Sequence, residues 1–384
     1  MRIRDHIIRI GAGLLCVVMA ALLIVLMFMN HRRNQERAEA LMRKTEERAA
    51  QEEEKLDQAA ELYDQYLEKL EGIHMVCWGD AAMAGNGDAS LPAALRTVME
   101  EKLYQPFTES YAGVIGEEEM TKPESSIVNM GVRDEGMREI LVRAGVCTMT
   151  IGEWASLPGD TEPQNVVLSD DAIWTPIHFA RQDNVSWGKV VISDVEGTLV
   201  EGEGEYDELH PRFAFLRDEE GDSFQVGAGT VVETENASRY IGNIPVFFFE
   251  EDTADSADSF VSDLEDLVDR YTDYYKDSED SEDSENSEDA EDSEDSEEPA
   301  GSHAFVVICT TEGDSDLDTM LREEFGDHYI RSDLYADALT ADNCKTLAQT
   351  VYDALDAQGC YDAVKNTTAQ AVKALDDLGV QVER

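Results

Sequence analysis

The chain has 384 residues, with 30 lysines and arginines against 84 aspartates and glutamates, a formal charge of −54. That balance excludes a nucleic-acid binder working through a broad basic face, because phosphate affinity comes from Lys and Arg. Hydrophobic residues make up 42%, enough for a real core spread over one or two domains. The six cysteines form no CxxC pair, which argues against a structural zinc site, a thioredoxin-type motif and a dense disulfide framework.

Ile10 to Met29 runs for 20 residues without a charge. As a helix it spans about 30 Å, the thickness of a bilayer's hydrocarbon core. The run ends in Met-Phe-Met-Asn-His-Arg-Arg rather than in small residues, so an uncleaved anchor is expected over 10–29, after a short N-terminus at 1–9. Arg2, Arg4 and Arg9 flank one side and Arg32, Arg33 and Arg37 the other, so the positive-inside rule does not orient it.

Residues 32–72 follow as a helical stalk. Leu56, Ala59, Tyr63, Tyr66 and Leu70 recur at heptad steps. That stripe either packs on the protein's own domain or pairs two chains as a short coiled coil.

From Ile73 an α/β alternation begins. Strands are expected at Ile73–Trp78 and Ser126–Met130, with helices at Leu91–Tyr104 and Gly136–Ala144. Between 146 and 234 the pattern changes to short β-prone runs, among them Lys189–Ile192, Arg212–Leu216 and Thr230–Val232. The alternation resumes with Ile244–Phe249, a helix Ser256–Tyr275, a strand Ala304–Cys309, and helices near Leu347–Ala357 and Ala369–Leu378. Short apolar strands followed by helices predict a parallel, doubly wound sheet. The domain therefore reads as 73–145 and 235–384, divided by a β-rich insertion at 146–234. Asp277 to Glu298 holds 14 acids and 6 serines in 22 residues and no base; with nothing apolar to bury, it is expected to be a disordered acidic loop.

The segment Met75-Val-Cys-Trp-Gly-Asp-Ala-Ala-Met-Ala-Gly-Asn-Gly87 resembles the first block of SGNH (GDSL-type) hydrolases, in which a strand ends in Gly-Asp-Ser-Leu and the serine is the nucleophile. Ile127-Val-Asn-Met-Gly-Val132 looks like the second block, and Pro245-Val-Phe-Phe-Phe249 falls where the third-block strand belongs. Arg143-Ala-Gly145, Val191–Leu199, Phe213–Arg217 and Gly229–Thr234 resemble a membrane-anchored bacterial branch with an inserted β-region. The resemblance implies a flavodoxin-like, SGNH-type domain lying outside the cytoplasmic membrane of a bacterium.

It also points away from catalysis. The family's serine position is Ala81, which has no nucleophilic oxygen. An oxyanion glycine becomes Asp134, the third-block asparagine becomes Asp252, and the last-block histidine falls on Val364 in Tyr361-Asp-Ala-Val-Lys-Asn366. Losing a triad nucleophile or base costs about 10⁶ in turnover, and each oxyanion donor about 10²–10³. The expectation is a non-catalytic binding or envelope protein with a glycan or protein ligand, no nucleic acid, and dimerisation through the stalk as an alternative. The competing reading is a hydrolase of envelope glycans that uses displaced or metal-assisted acids such as Asp80, Asp134 and Asp252.

No resident metal or cofactor is expected. The seven histidines form no HxH or HxxxH pair. Asp314-Ser-Asp-Leu-Asp318 begins like a calcium loop but lacks the Gly at its sixth position and the Glu at its twelfth. Asp80 is expected to hold the turn after its strand, and Cys344 and Cys360 are left open as a pair. Asn184, Asn236 and Asn366 stand in N-x-[ST] triplets, which carry no weight in a bacterial host.

Overall fold

A computed structural model describes residues 2–115, 120–121, 123, 125–133, 135–169, 189–202, 213–251, 256–282, 304–313 and 315–379, excluding the side chains of 2–16, 201 and 273–282. The chain divides into two compact units, one of residues 1–65, 110–119 and 371–384, the other of 66–109 and 120–370.

The first unit is dominated by α1 (Arg2–Leu67). The side chains of Val17 to Met29 lie largely exposed around it, Phe28 at 75%. Among the described residues no helix is long and apolar enough to cross a membrane; the Ile10–Met29 run begins among side chains that lie outside the described set. Further along α1, Ala59 and Tyr63 of the heptad stripe are buried within the chain. Tyr63 meets Tyr111 edge-on, with ring centroids 5.2 Å apart. Leu56, on the same stripe, stays exposed.

The second unit is built on five parallel strands: β1 (His74–Gly79), β2 (Ser126–Gly131), β11 (Ile244–Glu250), β12 (Val306–Thr310) and β13 (Tyr329–Ser332). Their spatial order is β2-β1-β11-β12-β13, all neighbours parallel. Counting only these strands, the order is 2-1-3-4-5, that of a doubly wound sheet whose direction of growth reverses beside the first strand. Val76 to Trp78, Val246 to Phe249 and Val306 to Cys309 are all fully buried, as expected of strands covered on both faces.

On one face Val76, Trp78, Phe247, Phe249, Val307 and Cys309 pack with α5 (Met137–Arg143), α7 (Ala257–Glu282) and α8 (Asp316–Phe325). Residues of the opposite parity, Met75, Cys77, Phe248 and Ile308, face the other way. There α3 (Leu91–Met99) and α9 (Ala341–Ala357) pack on each other, on β2 and on β12. A π-helical turn, Glu100–Tyr104, carries α3 into α4 (Gln105–Tyr111), and α10 (Asp362–Leu378) follows α9.

The insertion is an antiparallel half-barrel. Its short strands are β3 (Met149–Thr150), β4 (Ala155–Leu157), β5 (Gln164–Val166) and β9 (Phe224–Val226); its longer ones are β6 (Lys189–Ile192), β7 (Val195–Glu201), β8 (Phe213–Arg217) and β10 (Val231–Thr234). Six of them form a sheet in the order β3-β10-β6-β7-β8-β5 over a core of its own that includes Ile151, Val190, Ile192, Leu199, Phe213, Phe215 and Val232. β6 and β7 turn through Ser193 and Asp194, both at positive φ (50° and 65°), as a two-residue hairpin of matching twist requires.

The structure departs from the sequence expectations at two places and answers one pairing left open. The fifth strand, β13, and α8 before it were not foreseen. The acidic run was expected to be unfolded from Asp277, but helix α7 continues through Glu282; 283–298 lie outside the described residues. Cys344 and Cys360 are separate buried thiols rather than a pair.

Candidate functional site

In a doubly wound sheet, ligands meet the carboxyl ends of the strands where the strand order reverses. Here that place is the end of β1 beside the end of β11, and its first residue is Gly79. A side chain there would put its Cβ 2.0 Å from the Phe248 carbonyl oxygen, so only glycine lets the two backbones approach this closely.

Asp80 follows, 2% exposed. One carboxylate oxygen accepts the Ala82 N–H at 2.9 Å and caps α2 (Ala81–Ala84). The other accepts the Glu250 N–H at 2.7 Å and ties the β1 turn to the end of β11. Both oxygens thus satisfy backbone donors that would otherwise be buried without a partner, the structural role expected for this residue. Asp80→Asn removes one of these acceptors and should lower stability by about 1–3 kcal/mol. A urea unfolding curve with an unshifted midpoint would contradict that role.

Three further contacts lock α2 in place. Asn129 donates from Nδ2 to the Ala84 carbonyl at 3.2 Å and accepts the Gly131 N–H at 2.9 Å. Arg133 donates to the Gly85 carbonyl at 2.7 Å. A Cβ on Gly131 would lie 2.3 Å from the Ala84 nitrogen. The turn Ala336–Ala338, which leads from β13 toward α9, packs against α2, and the Ala336 N–H donates to the Glu250 carboxylate. Beside it Glu251 accepts the Glu312 N–H at 2.8 Å, and Thr310 donates to the Leu334 carbonyl at 2.7 Å. Carboxylates accepting backbone N–H groups therefore lace the strand ends together.

Ala81, partly exposed, stands at the first position of α2 in this crevice. Val364 is 2% exposed within α10; the segment after the last strand that packs on α2 is Ala336–Ala338 instead. Asp134 and Asp252 lie outside the described residues, as does Asp314 of the calcium-loop-like segment. Glu250 and Ala336 were not singled out from the sequence. Glu250 opens the stretch Glu250-Glu-Asp252 on which the third block falls but had no role of its own there, and Ala336 depends on recognising β13.

A hydroxyl does meet an imidazole elsewhere: His74 Nδ1 lies 2.9 Å from Ser126 Oγ. These residues are register partners at the amino ends of β1 and β2, the opposite end of the sheet from Ala81. His328 is stacked on Phe305, with centroids 4.1 Å apart. Among the described residues no three His, Cys, Asp or Glu side chains group so as to hold a metal ion. Burial pushes the Cys77 thiol up to about 12, with Arg96 acting the other way, so that thiol is protonated and poorly nucleophilic at neutral pH. The chain matches no protein-family model, no curated protein and no solved structure.

Proposed function

We propose that the chain is a membrane-anchored, extracytoplasmic protein on an SGNH-type scaffold that has lost the hydrolase chemistry and serves as a binding or envelope protein. The observation that carries this reading is the end of β1. Where the resembled family would place its nucleophile stands Ala81, and the turn packed on its helix is Ala336–Ala338, which bears no imidazole. The neighbouring Asp80, the obvious replacement acid or base, has both oxygens engaged by backbone N–H groups.

The anchor is supported by Val17 to Met29, a stretch apolar all round its helix and largely uncovered. A helix of that kind needs an apolar solvent. An extracytoplasmic site and a glycan or protein ligand follow from the resemblance. The buried stripe residues Ala59 and Tyr63 favour a stalk that packs on its own chain over one that pairs two chains.

The test is reactivity. The full chain in mild detergent should hydrolyse neither p-nitrophenyl acetate nor acetylated xylose above background, and a fluorophosphonate probe should leave it unlabelled. Ala81→Ser alone should remain unlabelled, because among the described residues no imidazole stands at that crevice to activate the new hydroxyl. Esterase turnover that is lost on probe labelling overturns the proposal.

A further inference from the structure

Beside the crevice, along the open edge of β2, lies a cleft of about 620 Å³, within the size range of small-molecule sites. Its walls come from the loop after α2, the start of α3, β2, and the four-residue helix α6 (Asn236–Arg239) that closes the insertion.

Its chemistry runs against that of the chain as a whole. In a protein of charge −54, the cleft carries two arginines, Arg96 and Arg239, against one carboxylate, Asp88. Arg96 donates once, to the Ile127 carbonyl at 3.0 Å, and has no carboxylate partner among the described residues. Arg239 pairs with Glu235 at 2.6 Å, with its guanidinium 5.6 Å from the Tyr240 ring centroid. Asn236, in the same wall, is 3% exposed, yet its Nδ2 has no hydrogen-bond partner among the described residues. An unpaired buried amide costs stability, and a small turn of this side chain toward the cleft would let a bound acceptor complete it.

We infer that this cleft binds a carboxylated sugar. Arg96, Arg239 and the Asn236 amide are donors suited to a carboxylate. Asp88 can accept from ring hydroxyls, Ser90 Oγ can donate to or accept from them, and the Tyr240 ring offers a flat apolar face. A simple carboxylate would leave these last groups unused, and a neutral sugar would leave Arg96 without a charged partner. The inference does not require that the Ala81 crevice be inert: reactivity tests that reading, and ligand binding tests this one.

The experiment is saturation-transfer NMR on the full chain in mild detergent, with D-glucuronate as probe and D-glucose and a tetraglutamate peptide as comparisons. Glucuronate should bind about tenfold or more tightly than glucose, and Arg96→Gln and Asn236→Ala should each weaken it by about tenfold, the scale of one charge-assisted hydrogen bond. Asn236→Ala should leave the melting temperature unchanged or raise it, because the amide it removes is unpaired. The inference is overturned if glucuronate binds no better than glucose, if both variants bind it as the parent does, if tetraglutamate binds in its place, or if Asn236→Ala lowers the melting temperature as a purely structural amide would.

Discussion

Arg143→Met should lower the free energy of unfolding by about 3–5 kcal/mol, the cost of leaving a buried charge without its partner. Arg143 is fully buried and Glu135 is 5% exposed. The guanidinium donates twice to Glu135, from Nε at 2.9 Å and from Nη2, and Nη2 also donates to the Met130 carbonyl at 2.9 Å. Its plane lies over Trp78, 4.7 Å from the ring centroid, and the Trp78 indole donates to Tyr271 at 2.5 Å. The Arg143 carbonyl meanwhile accepts the Thr234 hydroxyl at 2.9 Å, which ties α5 to β10 of the insertion. One side chain thus ties the end of β2, the loop that holds Glu135 and the β1 aromatic together.

The loss should depend on pH. Burial pushes the Glu135 carboxyl up from its ordinary 4.5, with Arg143 pulling it back. A carboxyl raised in the folded state contributes stability that is complete below its unfolded pKa and is lost as pH rises through its folded pKa. Without Arg143 the folded value climbs further. The deficit of Arg143→Met should therefore be smallest near pH 4 and grow toward about pH 8. Urea midpoints at both pH values measure it, and a deficit that stays flat would show that packing, not charge, carries the effect. The double variant Arg143→Met, Glu135→Leu should recover most of the loss, because it removes both charges together.

The sheet was legible where its strands are buried on both faces. β1, β11 and β12 are continuous apolar runs, and continuous burial writes itself into sequence whatever the register. β13 is different. Tyr329-Ile-Arg-Ser332 is a four-residue edge strand with Arg331 exposed, so its composition barely differs from a loop. α8 was hidden by its own start. Ser315 caps it by accepting the Asp318 N–H, and Asp316 and Asp318 occupy its first turn. Acids there complement the helix dipole, but the same residues spaced as Asp-x-Asp-x-Asp suggest calcium. Asp318 in fact accepts from Arg322 and Tyr329. α7 outran its expected end because helix already formed by packing at Phe260, Leu264 and Leu267 can extend into an acidic tail.

The same limits applied to the crevice. Asp80 and Gly131 carry local signatures, a capping acid and a glycine after a strand. The Glu250–Ala336 link joins residues 86 apart in sequence, and no local pattern records it. With β13 unseen, the last-block alignment falls on the final amphipathic helix at Val364, whereas the segment that packs on α2 is Ala336–Ala338, which follows the fifth strand.

Gly79→Ala should prevent the second unit from folding, with a loss above about 4 kcal/mol, beyond the range of ordinary substitutions. The new Cβ would stand 2.0 Å from the Phe248 carbonyl oxygen and 2.7 Å from the Met83 Cβ. Neither neighbour can yield. The Phe248 carbonyl is main chain of a strand paired on both sides, and Met83 is fully buried on α2. Relief would require β1 and β11 to separate, which would pull Asp80 away from the Glu250 N–H and leave both groups unsatisfied in the interior. Gly113→Ala is the matched control: nothing lies within 4 Å of its added Cβ, and stability should change by no more than about 0.5 kcal/mol. Limited proteolysis and near-ultraviolet dichroism separate the two outcomes. A Gly79→Ala protein that melts like the parent would mean that β1 and β11 do not meet in this register, and Ala81 would then lose its place at the mouth of the crevice.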